Sequence, residues 1–430
     1  MKVGIATLGC KVNTYESEYW IQELEKAGYE MADFTDICDV YLINTCTVTN
    51  TSDIKSRKMI HQAKRRNPNS CVVAAGCFIE ANGNYEDPDI DIYIGNQDKS
   101  KLVSLLDEYF ANKEPIRVPS GLAKTNFEDM FLTHFEGRCR AFVKIQDGCE
   151  NFCSYCIIPY VRGKCRSKSF SKVIEEVTAL VEAGYQEVVL TGIHTGNYGV
   201  DLGVSFASLL KQLVVIPGLA RLRISSIEAT ELTDEVLAVL KSSPIIVDHL
   251  HIPLQAGSDH VLKLMNRKYT LAEYYDIIKA IREIRPMIAI TTDIIVGFPG
   301  ETEEDFEQTL QISKQFAFAK IHVFPYSERK GTAAMQLPQH IDPTIKKQRA
   351  RQLVALSNTL EKEYATKFIG QKVEVLFETY KDGYSVGHTS NYLKVKVAQE
   401  ITPNTIQVVT LTDYCFGYCL GSLEEVLCRM

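Results

Sequence analysis

The chain has 430 residues, of which 45% are hydrophobic and 23% charged, with 13 cysteines and a formal net charge of −7. Such a length exceeds what one hydrophobic core supports, so two or three domains are expected. The absence of any apolar run of about 18 residues excludes a membrane span, MKVGIATLGCKVN lacks a signal-peptide pattern, and the expected location is cytoplasmic. Net acidity excludes wholesale nonspecific nucleic-acid binding but leaves room for local basic patches.

Residues 1–111 alternate strand and helix patterns. MKVGIATLG is an apolar run ending in glycine, and Tyr15–Lys26 carries Trp20, Ile21 and Leu24 at helical spacing. VYLINTC (Val40–Cys46), CVVAAGC (Cys71–Cys77) and IDIYIG (Ile90–Gly95) read as further strands, with helices at Asp53–Arg66 and Lys99–Phe110. The expectation is a small α/β domain with a mostly parallel sheet. Residues 112–137 lack periodicity and read as a linker. Residues 138–365 repeat β/α units, which predicts a full or partial (β/α) barrel. From 366 to 430 the pattern changes to short alternating runs between Lys-Asp-Gly and Thr-Pro-Asn turns, the mark of a small all-β barrel.

The cysteines carry the chemistry. In a reducing compartment thirteen of them point to metal ligation or redox work rather than disulfides. DGCENFCSYCIIPYVRG spaces Cys149, Cys153 and Cys156 as C-x3-C-x2-C on one loop, directly after the first strand of the β/α series. Three thiolates so bunched can ligate three irons of a [4Fe–4S] cube and leave the fourth open. Structural zinc asks for four closed ligands; zinc or inert cysteines are the alternatives. Three further cysteines follow N-terminal strands: Cys10 in TLGCKVN, Cys46 in INTCTVTN and Cys77 in AAGCFIE. In a parallel sheet they share one C-terminal edge and converge, so they could hold a second cluster; three buried cysteines that happen to end strands is the alternative.

The triplet with an aromatic residue before its last cysteine, Tyr155, resembles the radical S-adenosylmethionine (SAM) superfamily. Adding the N-terminal three-cysteine domain and the β tail, the chain resembles the methylthiotransferases along essentially its whole length. GCKVNTYES with INTCTV looks like the branch acting on N6-threonylcarbamoyladenosine of tRNA. The resemblance implies an N-terminal α/β domain with an auxiliary cluster, a partial (β/α) radical SAM barrel and a C-terminal TRAM-like β domain. It implies two [4Fe–4S] clusters, on Cys10/Cys46/Cys77 and on Cys149/Cys153/Cys156, with SAM as co-substrate. The activity implied is methylthiolation at C2 of that nucleoside in the anticodon loop, with a donor such as flavodoxin or ferredoxin supplying electrons. One SAM would methylate sulfur on the auxiliary cluster and another would give the 5′-deoxyadenosyl radical. Isopentenyladenosine or a ribosomal protein are the rival targets, and a zinc-stabilised RNA-binding module is the rival of another class.

Within that resemblance, Tyr155, Gly192, Arg223, Ser225, Glu228, Gln255, Asp293 and Gly297, at or near successive strand ends, are the expected SAM-binding positions. For RNA, Arg162 and Arg166 beside the cysteine loop and His388, Asn391 and Tyr392 in the tail are the expected contacts, with a basic helix around Lys55, Arg57 and Lys58 as a further patch. The tail from Thr366 has six Lys/Arg against seven Asp/Glu, so it is not basic overall. Cys415, Cys419 and Cys428 have no assigned role.

Overall fold

Every residue of Val40–Thr45 and of Cys71–Gly76 is buried. Strands covered on both faces belong inside a parallel sheet flanked by helices. The computed structural model, which describes residues 1–120, 122, 126–135 and 137–423, builds that sheet; Cys428 lies outside the described residues. Its strands are β1 (Lys2–Thr7), β2 (Glu30–Ala32), β3 (Val40–Thr45), β4 (Cys71–Gly76), β5 (Ile92–Ile94) and β6 (Ile116–Arg117), all parallel in the order β2-β1-β3-β4-β5-β6. β6 comes from the stretch read as linker, drawn onto the sheet by hydrogen bonds from Ile116 N to Asp91 O and Val118 N to Tyr93 O. α1 (Lys11–Lys26) begins earlier than its apolar spacing suggests. Gly9, at φ 102°, turns the chain out of β1, and Cys10 takes the extended conformation of an N-cap. α2 (Asn50–Arg66) is capped by the Thr49 side chain, and α3 (Cys77–Ala81) follows β4 without a gap.

The β/α series supplies β7 (Arg140–Lys144), β8 (Gln146–Asp147), β9 (Arg166–Ser167), β10 (Glu187–Thr191), β11 (Arg221–Ile224), β12 (His249–His251), β13 (Ala289–Val296) and β14 (Lys320–Pro325). β8 and β9 pair as a short antiparallel ribbon around the cysteine loop. β7, β10 and β11 pair in parallel, as do β12, β13 and β14. Leu222 stitches the two sets, its N donating to Ile245 O at 2.8 Å and its O accepting from Val247 N at 3.1 Å. The result is one curved wall with β7 and β14 at its edges, the expected partial barrel.

The N-terminal unit spans both edges. On the β7 side, buried Glu16 of α1 meets Lys144 at 2.9 Å and Arg162 at 3.1 Å. On the β14 side, Arg329 pairs with Asp53, and Asn50 Nδ2 donates to Glu328 O at 2.9 Å. A long helix, Pro343–Thr366, lies on β14, where Ser357 Oγ bonds both Ile321 N and Ile321 O at 3.0 Å.

The tail closes as a barrel of β15 (Lys372–Lys381), β16 (Tyr384–Thr389), β17 (Lys394–Val397), β18 (Thr405–Cys415) and β19 (Tyr418–Leu423), in the order β15-β16-β17-β19-β18. Val375, Phe377, Val395, Val397, Val409 and Leu411 are buried in its core. It docks where the strands of the wall begin: Arg221 donates to His388 O at 3.1 Å and Glu374 O at 3.0 Å, and Asp248 N donates to Ser390 Oγ at 2.8 Å. Among the described residues no helix is long and apolar enough to cross a membrane.

Candidate active site

The cysteine loop leaves β8 at Gly148, whose φ is 78° and where any Cβ would stand 2.0 Å from Lys164 O, so only glycine fits. Cys149 N then bonds Gly163 O at 3.1 Å, and Cys156 N bonds Cys153 O at 2.9 Å. Ser154 is anchored to the wall through Met265 O at 3.0 Å and Leu264 O at 2.7 Å. The three thiols lie within one another's field: burial, then Cys153 and Cys149, push the Cys156 thiol up to about 12, although a backbone N–H at Ile158 pulls the other way. N–H donors point at the sulfurs. Arg267 Nη1 lies 3.4 Å from Cys153 Sγ, and His194 stands in the field of Cys149, which with Cys165 and Glu231 holds its imidazole above the ordinary range against burial. Three crowded thiols with N–H donors fit an iron–sulfur cluster, whose bound cation would remove the repulsion between thiolates.

Beside this loop is a cavity of about 230 Å³ lined by Tyr155, Cys156, Gln255, Asp293, Ile295 and Tyr326, among others. The fold thus brings three of the expected SAM positions, Tyr155, Gln255 and Asp293, together against the third cysteine. Glu228 joins the loop from the other side, through an ion pair to Arg267. Gly192 packs on Gln146, where a Cβ would come within 3.1 Å of that side chain, and Gln146 Oε1 accepts from His194 N at 2.7 Å. Ser225 N bonds Leu190 O at 3.0 Å in the turn after β11. Gly297 sits away from the cavity lining: its N donates to Glu301 at 2.6 Å and its φ is 71° under Lys346. Arg223 is also elsewhere. It is buried in an ion pair with Glu187 at 2.6 Å and lies 4.6 Å from the ring centre of Tyr392 in the tail.

Cys10, Cys46 and Cys77 follow β1, β3 and β4, which are adjacent, and so meet at one sheet edge. A Cβ on Gly9 would stand 3.0 Å from Cys46 Sγ, and the Cys10 and Cys77 thiols share a field. Asn96 Nδ2 donates to Cys77 Sγ at 3.4 Å. Cys77 packs against Ile157 and Val161, immediately after Cys156. This contact brings the sheet-edge set up to the helix that follows the loop set. Cys38 and Cys71 are buried in the apolar interior instead, and burial raises both thiols. Lys11, the first residue of α1, is solvent-accessible, yet burial among its surroundings, then Arg223 and Arg140, pull its ammonium down to about 8.

Arg162 and Arg166 are corrections to the sequence reading. Both are buried, at 1% exposure, and cannot meet RNA. Arg162 donates to Asn13 Oδ1 at 2.8 Å and pairs with Glu16 and Asp147, each at 3.1 Å. Its charge reaches Cys77 and Cys10, so it is a cation of the site rather than of the surface. Arg166 Nη2 donates to Arg162 O at 3.0 Å. The tail residues are also mostly engaged. His388 pairs with Glu378 at 2.7 Å, Asn391 Nδ2 donates to Tyr364 Oη at 3.0 Å, and Tyr392 stacks between His249 and His388. Asn391 and Tyr392 hold the tail on the rest of the molecule, while the His388–Glu378 pair lies within the tail. Lys55, Arg57 and Lys58 on α2 are exposed. Sequence reading missed Arg267, His194 and Lys11; an arginine just after a helix that packs on the cysteine loop carries no local signature.

The Radical SAM superfamily matches residues 143–312, and the Uncharacterized protein family UPF0004 matches residues 2–95. The threonylcarbamoyladenosine tRNA methylthiotransferase MtaB of Bacillus subtilis (strain 168) is 46% identical over 91% of this chain and 89% of its own length. The chain belongs to the radical SAM methylthiotransferase family. The MtaB of Aquifex aeolicus is 40% identical, over 87% of this chain and 92% of its own. The tRNA-2-methylthio-N(6)-dimethylallyladenosine synthase of Pelotomaculum thermopropionicum is 37% identical over 89% of this chain and 87% of its own. Among solved structures, the radical SAM methyltransferase TsrM of Kitasatospora setae shares the fold, at a TM-score of 0.55 and 14% identity over 75% of this chain and 74% of that one. As a member of this family the protein is an alkylthio-transferring enzyme that uses a [4Fe–4S] cluster and SAM.

Proposed function

We propose that the protein transfers a methylthio group to C2 of N6-threonylcarbamoyladenosine in the anticodon loop of tRNA, in the cytoplasm. The observation that carries this reading is the contact of Cys77 with Ile157 and Val161, which sets the sheet-edge cysteines beside the loop cysteines. In this reading Cys149, Cys153 and Cys156 hold the SAM-cleaving [4Fe–4S] cluster, and Cys10, Cys46 and Cys77 hold a second. Residues 1–111 carry the auxiliary site, 138–365 the radical SAM core and 366–430 the TRAM-like tail.

Adenine C2–H is neither acidic nor attached to a leaving group, so polar substitution fails; when bound, the cluster and SAM supply the one-electron chemistry such a bond demands. The chain's own residues do the rest. Tyr155, Gln255 and Asp293 line the cavity beside Cys156, suited to an adenosine moiety and a ribose. Arg267 steadies Cys153 and positions Glu228. Arg162 balances negative charge at Cys10 and Cys77. The exposed cations Lys55, Arg57 and Lys58 lie on α2, the helix that follows Cys46, and suit the phosphates flanking the target base. A reductant such as flavodoxin or ferredoxin feeds the clusters.

The test is nucleoside analysis of tRNA after incubation with reconstituted enzyme, SAM and reductant. The expected product is 2-methylthio-N6-threonylcarbamoyladenosine. Formation of the isopentenyl product alone would overturn the substrate assignment, the outcome that the 37%-identical relative keeps in play.

A further inference from the structure

Lys11 stands one residue past Cys10, at the start of α1. Its side chain is solvent-accessible and makes no ion pair among the described residues. Its electrostatic neighbours are Arg223 and Arg140, with Cys10 and then Glu187 opposing them. His249 shares the same field, facing Lys11, Arg223, His251 and His322. Lys11 of α1, Arg140 of β7 and Arg223 of β11 therefore bring three cations to this field, while burial and the neighbouring charges hold the imidazoles of His249 and His322 below their ordinary range.

The acids in this field are already committed. Glu187 is taken by Arg223 at 2.6 Å, Glu378 by Arg140 at 3.1 Å and His388 at 2.7 Å, and Asp293 by His251 at 3.3 Å. Lys11 is left over. Two more groups in the same field are left over too: Arg223 Nη1 and His249 Nδ1 are buried and have no hydrogen-bond partner. Buried unpaired polar atoms are costly and mark a place that a ligand or water completes. Tyr392 holds this corner in shape, with Arg223 at 4.6 Å and Arg140 at 5.4 Å from its ring centre and His249 stacked at 5.0 Å.

An anion would complete such a corner. The threonylcarbamoyl substituent carries a carboxylate, displaced from the reacting C2 by the width of the adenine ring and the carbamoyl linkage; an isopentenyl substituent carries none. We propose that Lys11, backed by Arg223 and His249, is a carboxylate-binding subsite that recognises the threonyl carboxylate of the substrate nucleoside and selects it over neutral N6 substituents. The inference rests on the proposed function above. A site built around an unpaired cation rejects the neutral analogue because binding it would leave that charge desolvated and unmatched.

The test uses the holoenzyme and three anticodon stem–loops, bearing N6-threonylcarbamoyladenosine, its methyl ester or isopentenyladenosine. Equilibrium binding without reductant and kcat/KM with it are measured for wild type, Lys11→Met and Lys11→Arg. Wild type is expected to bind the acid about tenfold to a hundredfold more tightly than the ester, the range of a charge-assisted hydrogen bond. Lys11→Met is expected to lose that preference through KM, and Lys11→Arg to restore part of it. A wild type that binds acid and ester equally overturns the subsite, even if it turns the acid over. So does a Lys11→Met loss of equal size on acid and ester, which would mark Lys11 as a phosphate contact or a structural residue. Binding that prefers the acid without turnover would instead overturn the proposed reaction and leave the subsite standing.

Discussion

Arg162 Nη2 donates to Asn13 Oδ1 at 2.8 Å, joining the helix that follows Cys156 to the helix that follows Cys10. The same guanidinium touches Glu16 and Asp147, both fully or nearly fully buried. Burial works against ionising Glu16, but Lys144, Lys99 and Arg162 hold its carboxyl well below the usual carboxylate range. One network thus fixes the distance between the two cysteine sets. Arg162→Met strips two buried carboxylates of a shared partner, and a broken buried pair costs about 3–5 kcal/mol. Because Lys144 and Lys99 remain, the loss expected is about 3 kcal/mol, the low end of that range, read as a shift in urea midpoint. An unchanged midpoint would show that the network does not hold the units together.

Arg267 bears on the loop cluster itself. Its Nη1 lies 3.4 Å from Cys153 Sγ, and a donor to a cluster thiolate favours the reduced, more negative state. Removing a bond worth about 1 kcal/mol lowers a one-electron potential by about 40 mV. Arg267→Met is expected to show that drop in an EPR-monitored titration, with Arg267→Lys falling between it and wild type.

Phosphate contact is assigned to α2 and away from Arg162. Substituting Lys55, Arg57 and Lys58 together by alanine is expected to flatten the plot of log affinity against log salt by about 2, at about 0.7 per single-strand phosphate. Arg162→Met is expected to leave that slope alone, being buried.

Asp305 gives a pH signature. Burial opposes its ionisation, but hydrogen bonds from Ser258, Thr302 and His260 prevail and set its carboxyl at about 2. A carboxyl depressed on folding stabilises the native state above the unfolded value of about 4, and that stability drains as pH falls toward about 2. The gap in urea midpoint between wild type and Asp305→Asn is expected to be constant above about pH 5 and to shrink below about pH 4. A gap that holds at low pH would contradict the assignment.

The three-part architecture was legible because period-2 and β/α patterns are local, and VYLINT reads as a doubly covered strand without its neighbours. The placement of Cys10, Cys46 and Cys77 at one edge follows from strand ends in a parallel sheet, a rule of topology rather than of distance. Charge was not legible in the same way. Arg162 looks like a surface cation in YVRGK, and only its partner Glu16, far away in sequence, reveals that it is buried. His388, Asn391 and Tyr392 look suited to stacking on bases, yet the tail spends two of them on Glu378 and Tyr364. Lys11 was overlooked because nothing in GCKVN tells that its side chain is left unpaired.

That two separate cysteine triplets hold two clusters is tested most directly by anaerobic iron and sulfide quantitation. The samples are wild type and two triple variants, Cys10→Ala/Cys46→Ala/Cys77→Ala and Cys149→Ala/Cys153→Ala/Cys156→Ala. Two clusters predict about eight irons in wild type and about four in each variant, one cube remaining in each. About four irons in wild type, all lost with the loop triplet and none with the sheet-edge triplet, would contradict the two-cluster arrangement.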